Sequence, residues 1–446
     1  MTAEATTEKS LYAELFEETS ARVQANEPEW LARVRADALE RFERAGFPTT
    51  DEEDWKYTNV APIARGSFRP VASDEAFAHD AALVESFVYE ESRQSRLVFV
   101  DGVFRPKLSS TEGLPKEVVV TDLRSALAGP HAEVVREHLA QSQDHDRDAF
   151  TSLNTAFLGD GAFLLLPKGV SAGVPVQLLF LATGPLDETA IFPRVLVVAE
   201  RDSSATILES YAALNESAYF TNSVVETFVG EGARVVHYKV QRESERAFHV
   251  ASTRASLGRA ATYDLTTVTL GARLSRHGVE VRLSSEGAEC WVDGLYLVGE
   301  GQHADTHSLI DHQSPRCTSH QNYKGILDGR SRAVFNGRVF VHRDAQQTDA
   351  FQSNKNLLLS SEARVDTKPQ LEIYADDVKC AHGATVGQLE EEELFYLTSR
   401  GLHPDLARNL LTYGFAEEIV EKVKIESIKR QLDEAILNRL QAELEA

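Results

Sequence analysis

The sequence predicts a mainly β protein: a β-solenoid core between an N-terminal α+β domain and C-terminal helices. Three observations predict it. From about Gly161 to Gly387, short strands rich in Val, Leu, Thr and Tyr alternate with small-residue turns, and helical periodicity is absent. Within that region "RDSSATILESY", "GEGARVVHYKV", "LGRAATYDLTTV" and "SSEGAECWVDGLYLV" each run from a small-residue turn into a strand. Their alanines Ala205, Ala233, Ala260 and Ala288 are spaced 28, 27 and 28 apart. No single unit of this size buries its own apolar face, so the units must stack. Third, the last sixty residues return to helical spacing. A β-sandwich is the alternative architecture, since it also uses many short strands. The expected division is 1–158, 159–388 and 389–446.

The elements follow in order. In "EPEWLARVRADALERFERAGF", Trp30, Val34, Ala38 and Phe42 fall four apart on one helical face, and Gly46 and Pro48 mark the end. In the loop "PTTDEEDWKYTNV", Trp55 and Tyr57 lie two apart, as for side chains packed together on an extended segment. "RLVFVDGVFRP" reads as a hairpin turned by Asp101-Gly102. "HAEVVREHLA" and "DAFTSLNTAFLG" read as short helices. After the repeats, "LEIYADDVKC" reads as one strand and as a sheet edge. "EEEELFYLTSRGL" is a helix closed by Gly401, and "HPDLARNLLTYGF" one opened by Pro404 and closed by Gly414. In the final helix Ile425, Ile428, Leu432, Ile436 and Leu440 form an apolar stripe, expected to cap the solenoid end or to bind another protein.

Of the 446 residues, 42% are hydrophobic and 26% charged, and the net charge is −23. That balance argues against binding nucleic acid or an anionic membrane surface. No apolar run approaches ~20 residues. The acidic N-terminus has no apolar signal core, and Cys290, Cys317 and Cys380 are few and widely spaced. Both features suit a reducing cytoplasm.

Several motifs invite chemistry. "GVSAG" at Gly169 fits a nucleophile pattern, but a strand follows it where a helix is required. "GEGQHA" at Gly299 lacks the strand–helix unit of a dinucleotide site. Both are read as turns. No phosphate-binding G-x-x-x-x-G-K-[ST] occurs, so any ATP hydrolysis belongs to a partner. In "QHADTHSLIDH", strand alternation puts His303, Asp305 and His307 on one face, as a divalent-metal site or as a polar outer face. In "LEIYADDVKCAHGATVG", Cys380 and His382 stand at i and i+2, roughly 6.5–7 Å apart on one side of a strand. Thiolate and imidazole both ligate iron, and Gly383 permits close backbone approach. Two ligands do not complete a site, so the rest must come from elsewhere in the chain or from a second subunit.

The stretch "TDAFQSNKNLLLSSEARVDTKPQLEIYADDVKCAHGATVGQLEEEELFYLTSRGL" closely resembles the C-terminal hallmark of the SufB/SufD family of iron–sulfur cluster assembly proteins, and "DEEDWKYTNV" looks like its N-terminal element. "CAHGATVG" is the form of the SufD branch. The SufB branch carries a glutamate where this chain has Gly383. The resemblance implies a right-handed parallel β-helix joined to SufB as a heterodimer, with a SufC ATPase held by the C-terminal helices. It implies a non-catalytic scaffold, with sulfur arriving indirectly from a cysteine desulfurase system. It also implies a transient cluster or iron at the SufB–SufD interface near Cys380 and His382, with no stable cofactor in the isolated chain. A homodimer is expected where SufB is missing. The opposed class is a free-standing β-helix metalloenzyme using His303, Asp305 and His307.

Overall fold

The computed structural model describes residues 10–23, 27–70, 81–141, 148–183 and 188–445. The N-terminal part contains α1 (Leu11–Val23), α2 (Glu29–Ala45), α3 (Ala61–Arg65), β1 (Arg69–Pro70), α4 (Ala81–Glu85), β2 (Arg96–Val100), β3 (Val103–Phe104), β4 (Val119–Asp122), α5 (Leu123–Ala128), α6 (Ala132–His138) and α7 (Ala149–Ala156). Helix α2 buries Leu31, Arg35, Ala38 and Phe42, while Trp30 and Val34 are only half-buried. A strict four-residue spacing drifts around a 3.6-residue helix, so the buried stripe mixes threes and fours. Gly46 caps it at φ 70°, its N–H bonded to the Phe42 carbonyl at 2.7 Å. The β2–β3 hairpin turns through Asp101 and Gly102, both at positive φ. Trp55 and Tyr57 do not pack as an extended pair, because Glu53–Trp55 coils into a 3₁₀ turn.

The core is a parallel solenoid of about seven coils, which excludes the sandwich. After β5 (Ala162–Leu166), β6 (Val176–Ala182) and β7 (Thr189–Ile191), two sheets are laid down alternately. One receives β8 (Arg194–Ala199), β10 (Tyr219–Val229), β12 (Phe248–Leu257), β14 (Leu274–Leu283), β16 (His303–His312), β18 (Arg332–Val341) and β20 (Arg364–Ile373). The other receives β9 (Ser204–Ala213), β11 (Arg234–Arg242), β13 (Thr262–Thr269), β15 (Glu289–Val298), β17 (Thr318–Leu327), β19 (Thr348–Leu358) and β21 (Val378–Gly387). Phe220, Phe248, Leu274, His303, Arg332 and Arg364 are successive rungs, so a coil takes 26 to 32 residues.

The alanine repeat marks a corner. Asp202, Gly232, Ala260, Gly287, Arg316 and Gln347 all enter the second sheet at positive φ. The residues just before β9, β11, β13, β15 and β17 are Ser203, Ala233, Ala261, Ala288 and Cys317, all fully buried. Space there admits only a small side chain. The true register is therefore Ala233, Ala261, Ala288 and then Cys317. Ala205 lies two residues beyond its corner, opposite Val235, and Ala260 is the positive-φ residue.

The two ends of the solenoid differ. At the first, β3 and β4 pair antiparallel to β2 and β5, and each is only a few residues long. At the other, β20 and β21 run ten residues each and form the last members of their sheets. Helices α8 (Glu391–Ser399), α9 (Pro404–Val420) and α10 (Glu426–Glu445) do not cover that end. Ile425, Ile428, Leu432 and Ile436 instead pack with Ile419 and Val420 against Leu208, Val240, Val268, Leu295 and Ile326 on the outer side of the second sheet. The expected cap is a buttress, and these four residues are packing residues of this chain. The side chain of Leu440 lies outside the described residues. Gly414 does not end its helix; α9 continues to Val420. No helix is long and apolar enough to cross a membrane.

Candidate functional site

The open end of the solenoid carries Cys380 and His382. The strand expected through "LEIYADDVKC" is broken: Tyr374–Asp377 form the corner between β20 and β21. Alternation along β21 then turns both Cys380 and His382 toward the lumen, in register with Ala350 and Gln352 of β19. Cys380 is half-buried and packs on the apolar core. Burial and the neighbouring Asp349 carboxylate both push its thiol up, so the thiolate is disfavoured. His382 is exposed. A Cβ placed on Gly383 would meet nothing within 4 Å, so its own chain does not require glycine there. Phe351, Ile373, Tyr374 and Val386 are exposed apolar side chains of the same last coil and its neighbour.

The structure does bring His303, Asp305 and His307 onto one outer face of β16, but it occupies them. The Thr58 hydroxyl donates to Asp305 Oδ2 at 2.5 Å. Its proton thus spent, Thr58 Oγ1 accepts from His303 Nε2 at 2.9 Å. Arg276 pairs with the same carboxylate, and His307 Nε2 stands 3.1 Å from Oδ1. Burial alone would raise Asp305, but Arg276 and His307 outweigh it and hold the carboxyl well below its usual range. Arg276 also lies 3.6 Å from the centre of the Trp55 ring. This cluster fastens the "DEEDWKYTNV" segment to the solenoid. Among the described residues, no group of three or more His, Cys, Asp or Glu is placed to hold a metal ion. Asp305, the carboxylate of the expected metal set, is engaged by Thr58 and Arg276.

Cys290 and Cys317 are buried. Cys290 fills a lumen rung between Tyr263 and Ser319. Cys317 takes the alanine place at the corner and donates to the Ser285 carbonyl at 3.3 Å. "GVSAG" is a turn, with Gly169 and Gly173 at φ 73°.

Sequence reasoning missed the polar half of the lumen. Glu209 is fully buried between Lys239 (2.9 Å), His237 (2.8 Å) and the Tyr211 hydroxyl (2.5 Å). Burial opposes its charge, but Lys239 and His237 overcome that and hold the carboxyl well down. Further along, Gln321 Nε2 donates to Ser308 Oγ at 2.7 Å and Gln352 Nε2 to Gln321 Oε1 at 2.6 Å. The available signal was the run of polar residues at alternate places, His237, Lys239 and Gln241, in a strand such as "VVHYKVQR". It also missed Phe395, Tyr396, Leu406 and Leu410 on α8 and α9, which are exposed; Phe395 is 74% exposed.

Similarity to known proteins matches this architecture along nearly the whole chain. A family model described as SUF system FeS cluster assembly, SufBD core domain, matches residues 180–415, and one described as SufBD protein N-terminal region matches residues 6–178. The chain belongs to the SufBD family. A SufBD family protein of Synechocystis is 37% identical over 97% of this chain and 98% of its own length. The iron–sulfur cluster assembly protein SufD of Escherichia coli is 34% identical over 90% of this chain and 91% of its own. SufB of Bacillus subtilis is 26% identical over 94% of this chain and 91% of its own. The SufBD core match covers the solenoid from β6 onward together with α8 and most of α9, so the open end lies within it.

Proposed function

We propose that this chain is a SufD-type scaffold subunit of an iron–sulfur cluster assembly complex. It pairs through the open end of its solenoid with a SufB-type subunit, and the cluster is built at that junction with His382 as a ligand. The observation that carries the reading is the last coil. Its strands β20 and β21 stand uncovered along ten residues each, and the lumen-facing His382 is exposed there beside Cys380. Unpaired edge groups of that length invite a partner sheet. The empty space over Gly383 is room for that partner's backbone. The missing cluster ligands then come from the partner. A SufC-type ATPase docks on the exposed apolar side chains Phe395, Tyr396, Leu406 and Leu410 rather than on the buried stripe.

Iron is cargo in this scheme, and the two residues contribute unequally. An imidazole ligates iron while neutral. The Cys380 thiol must first lose a proton that burial and Asp349 hold in place. His382→Ala is therefore expected to abolish cluster formation in the SufB–SufC–SufD complex, and Cys380→Ser to lower it only partly. Both variants should assemble with their partners. Reconstitution with iron and sulfide, read by absorbance and iron content on intact complexes, checks this. Normal yield from His382→Ala removes the residue from the reaction.

A further inference from the structure

We propose that Gln352 orients the His382 imidazole: its Oε1 accepts the ring N–H facing the lumen, leaving the other ring nitrogen with its lone pair directed out of the end. This inference rests on the reading of His382 as an iron ligand. It also makes a separate claim about the chain alone.

Gln321, Gln352 and His382 are successive members of one lumen column, one per coil of the second sheet. In-register residues of adjacent strands are about 4.8 Å apart. The first step of the column is already bridged, since the Gln352 Nε2–H donates to Gln321 Oε1 at 2.6 Å. Gln321 in turn donates to Ser308. Each amide thus spends an N–H inward and keeps its oxygen as an acceptor. At Gln321 that oxygen is used by Gln352. At Gln352 it is used by nothing: the residue is fully buried, and Oε1 has no hydrogen-bond partner among the described residues. A buried acceptor left unmade is destabilising. The next group along the column is His382, displaced by the same coil-to-coil step that Gln321 and Gln352 already bridge.

The place for this amide is built. A Cβ on Gly337, across the lumen in β18, would stand 2.4 Å from Gln352 Nε2 and 2.7 Å from Phe335 Cζ. Glycine is what lets the amide lie where it does. Ligand histidines are commonly fixed in this way, with one nitrogen donating to an acceptor behind it while the other binds. Gln352 would then be a positioning residue, which touches neither iron nor sulfur.

The test uses the isolated full-length chain without iron, with ¹⁵N-labelled histidine, at a fixed alkaline pH where imidazole is neutral. The His382 resonances are assigned by their loss in His382→Gln. The ring nitrogen shifts report the tautomer ratio. Gln352→Leu, which keeps the volume and removes the acceptor, should change that ratio about fivefold, the equivalent of one net hydrogen bond of about 1 kcal/mol. Gln352→Glu, which keeps an acceptor, should preserve it. Thermal melts establish that each variant is folded, and Gly337→Ala supplies a second way of displacing the amide. An unchanged ratio in folded Gln352→Leu overturns the proposal. So does a Gln352→Glu variant that behaves like Gln352→Leu, because that outcome puts the amide N–H at the rim. Cluster reconstitution in the complex forms the second arm. A shifted ratio with undiminished yield upholds the positioning and counts against His382 as a ligand. An unshifted ratio with a dead His382→Ala variant does the reverse.

Discussion

At the scale of single residues, the clearest energetic claim concerns Asp305. Its carboxylate is fully buried, paired with Arg276, and hydrogen-bonded by Thr58. Removing one partner of a buried ion pair leaves an uncompensated charge and costs about 3–5 kcal/mol. Asp305→Asn is accordingly expected to lower stability by about 3 kcal/mol in denaturant unfolding, with no change in bound metal. The pH dependence follows from the sign of the shift. The folded carboxyl titrates below its unfolded value of about 3.9, so its contribution is complete above that pH. It is lost as pH falls toward the folded value. Acid unfolding of Asp305→Asn should therefore be shallower in that window than that of the unaltered chain. The sequence put His303, Asp305 and His307 on one face correctly, because strand alternation is strict. It was silent on their occupant, since Thr58 lies 245 residues from His303 in the chain.

At the scale of elements, the C-terminal helices separate two roles that one apolar stripe had seemed to combine. Periodicity identified the stripe but carried no information about its target. Ile428, Leu432 and Ile436 face the second sheet, where large-to-small changes cost about 2–5 kcal/mol. Leu432→Ala should reduce the melting temperature of the isolated chain. Phe395→Ser with Tyr396→Ser, on the exposed side of α8, should leave melting unchanged and abolish capture of the SufC-type ATPase in a co-purification. Loss of stability in the double variant would place α8 in the core instead. The strands show the same division. The small-residue corners were legible in part: Ala233 and Ala288 hold the buried corner place, whereas Ala260 stands one residue before it and Ala205 two residues after it. The lumen's polar half was not legible, because a buried Glu209 or Gln352 looks in sequence like an outward-facing polar residue until its partners one coil away are known.

At the scale of the whole molecule, the contrast between the two solenoid ends decides how copies can associate. The first end finishes in the short antiparallel strands β3 and β4, and the other in the bare ten-residue strands β20 and β21. Without the proposed SufB-type partner, the isolated chain is expected to form dimers through β20 and β21 and nothing larger. Sedimentation over a wide concentration range checks the stoichiometry, and hydrogen exchange should show slower exchange in β21 as the dimer fills. Species beyond the dimer would contradict this. In the terms of polymer chemistry, the chain is a monofunctional unit, one end terminated and the other reactive. Condensation of such units stops after a single joining event, whatever their concentration. A molecule with two reactive ends would be a chain extender, and its product a fibre. On that expectation the few residues of β3 and β4 would serve as an end-group, and a pair would be the largest product of solenoid joining.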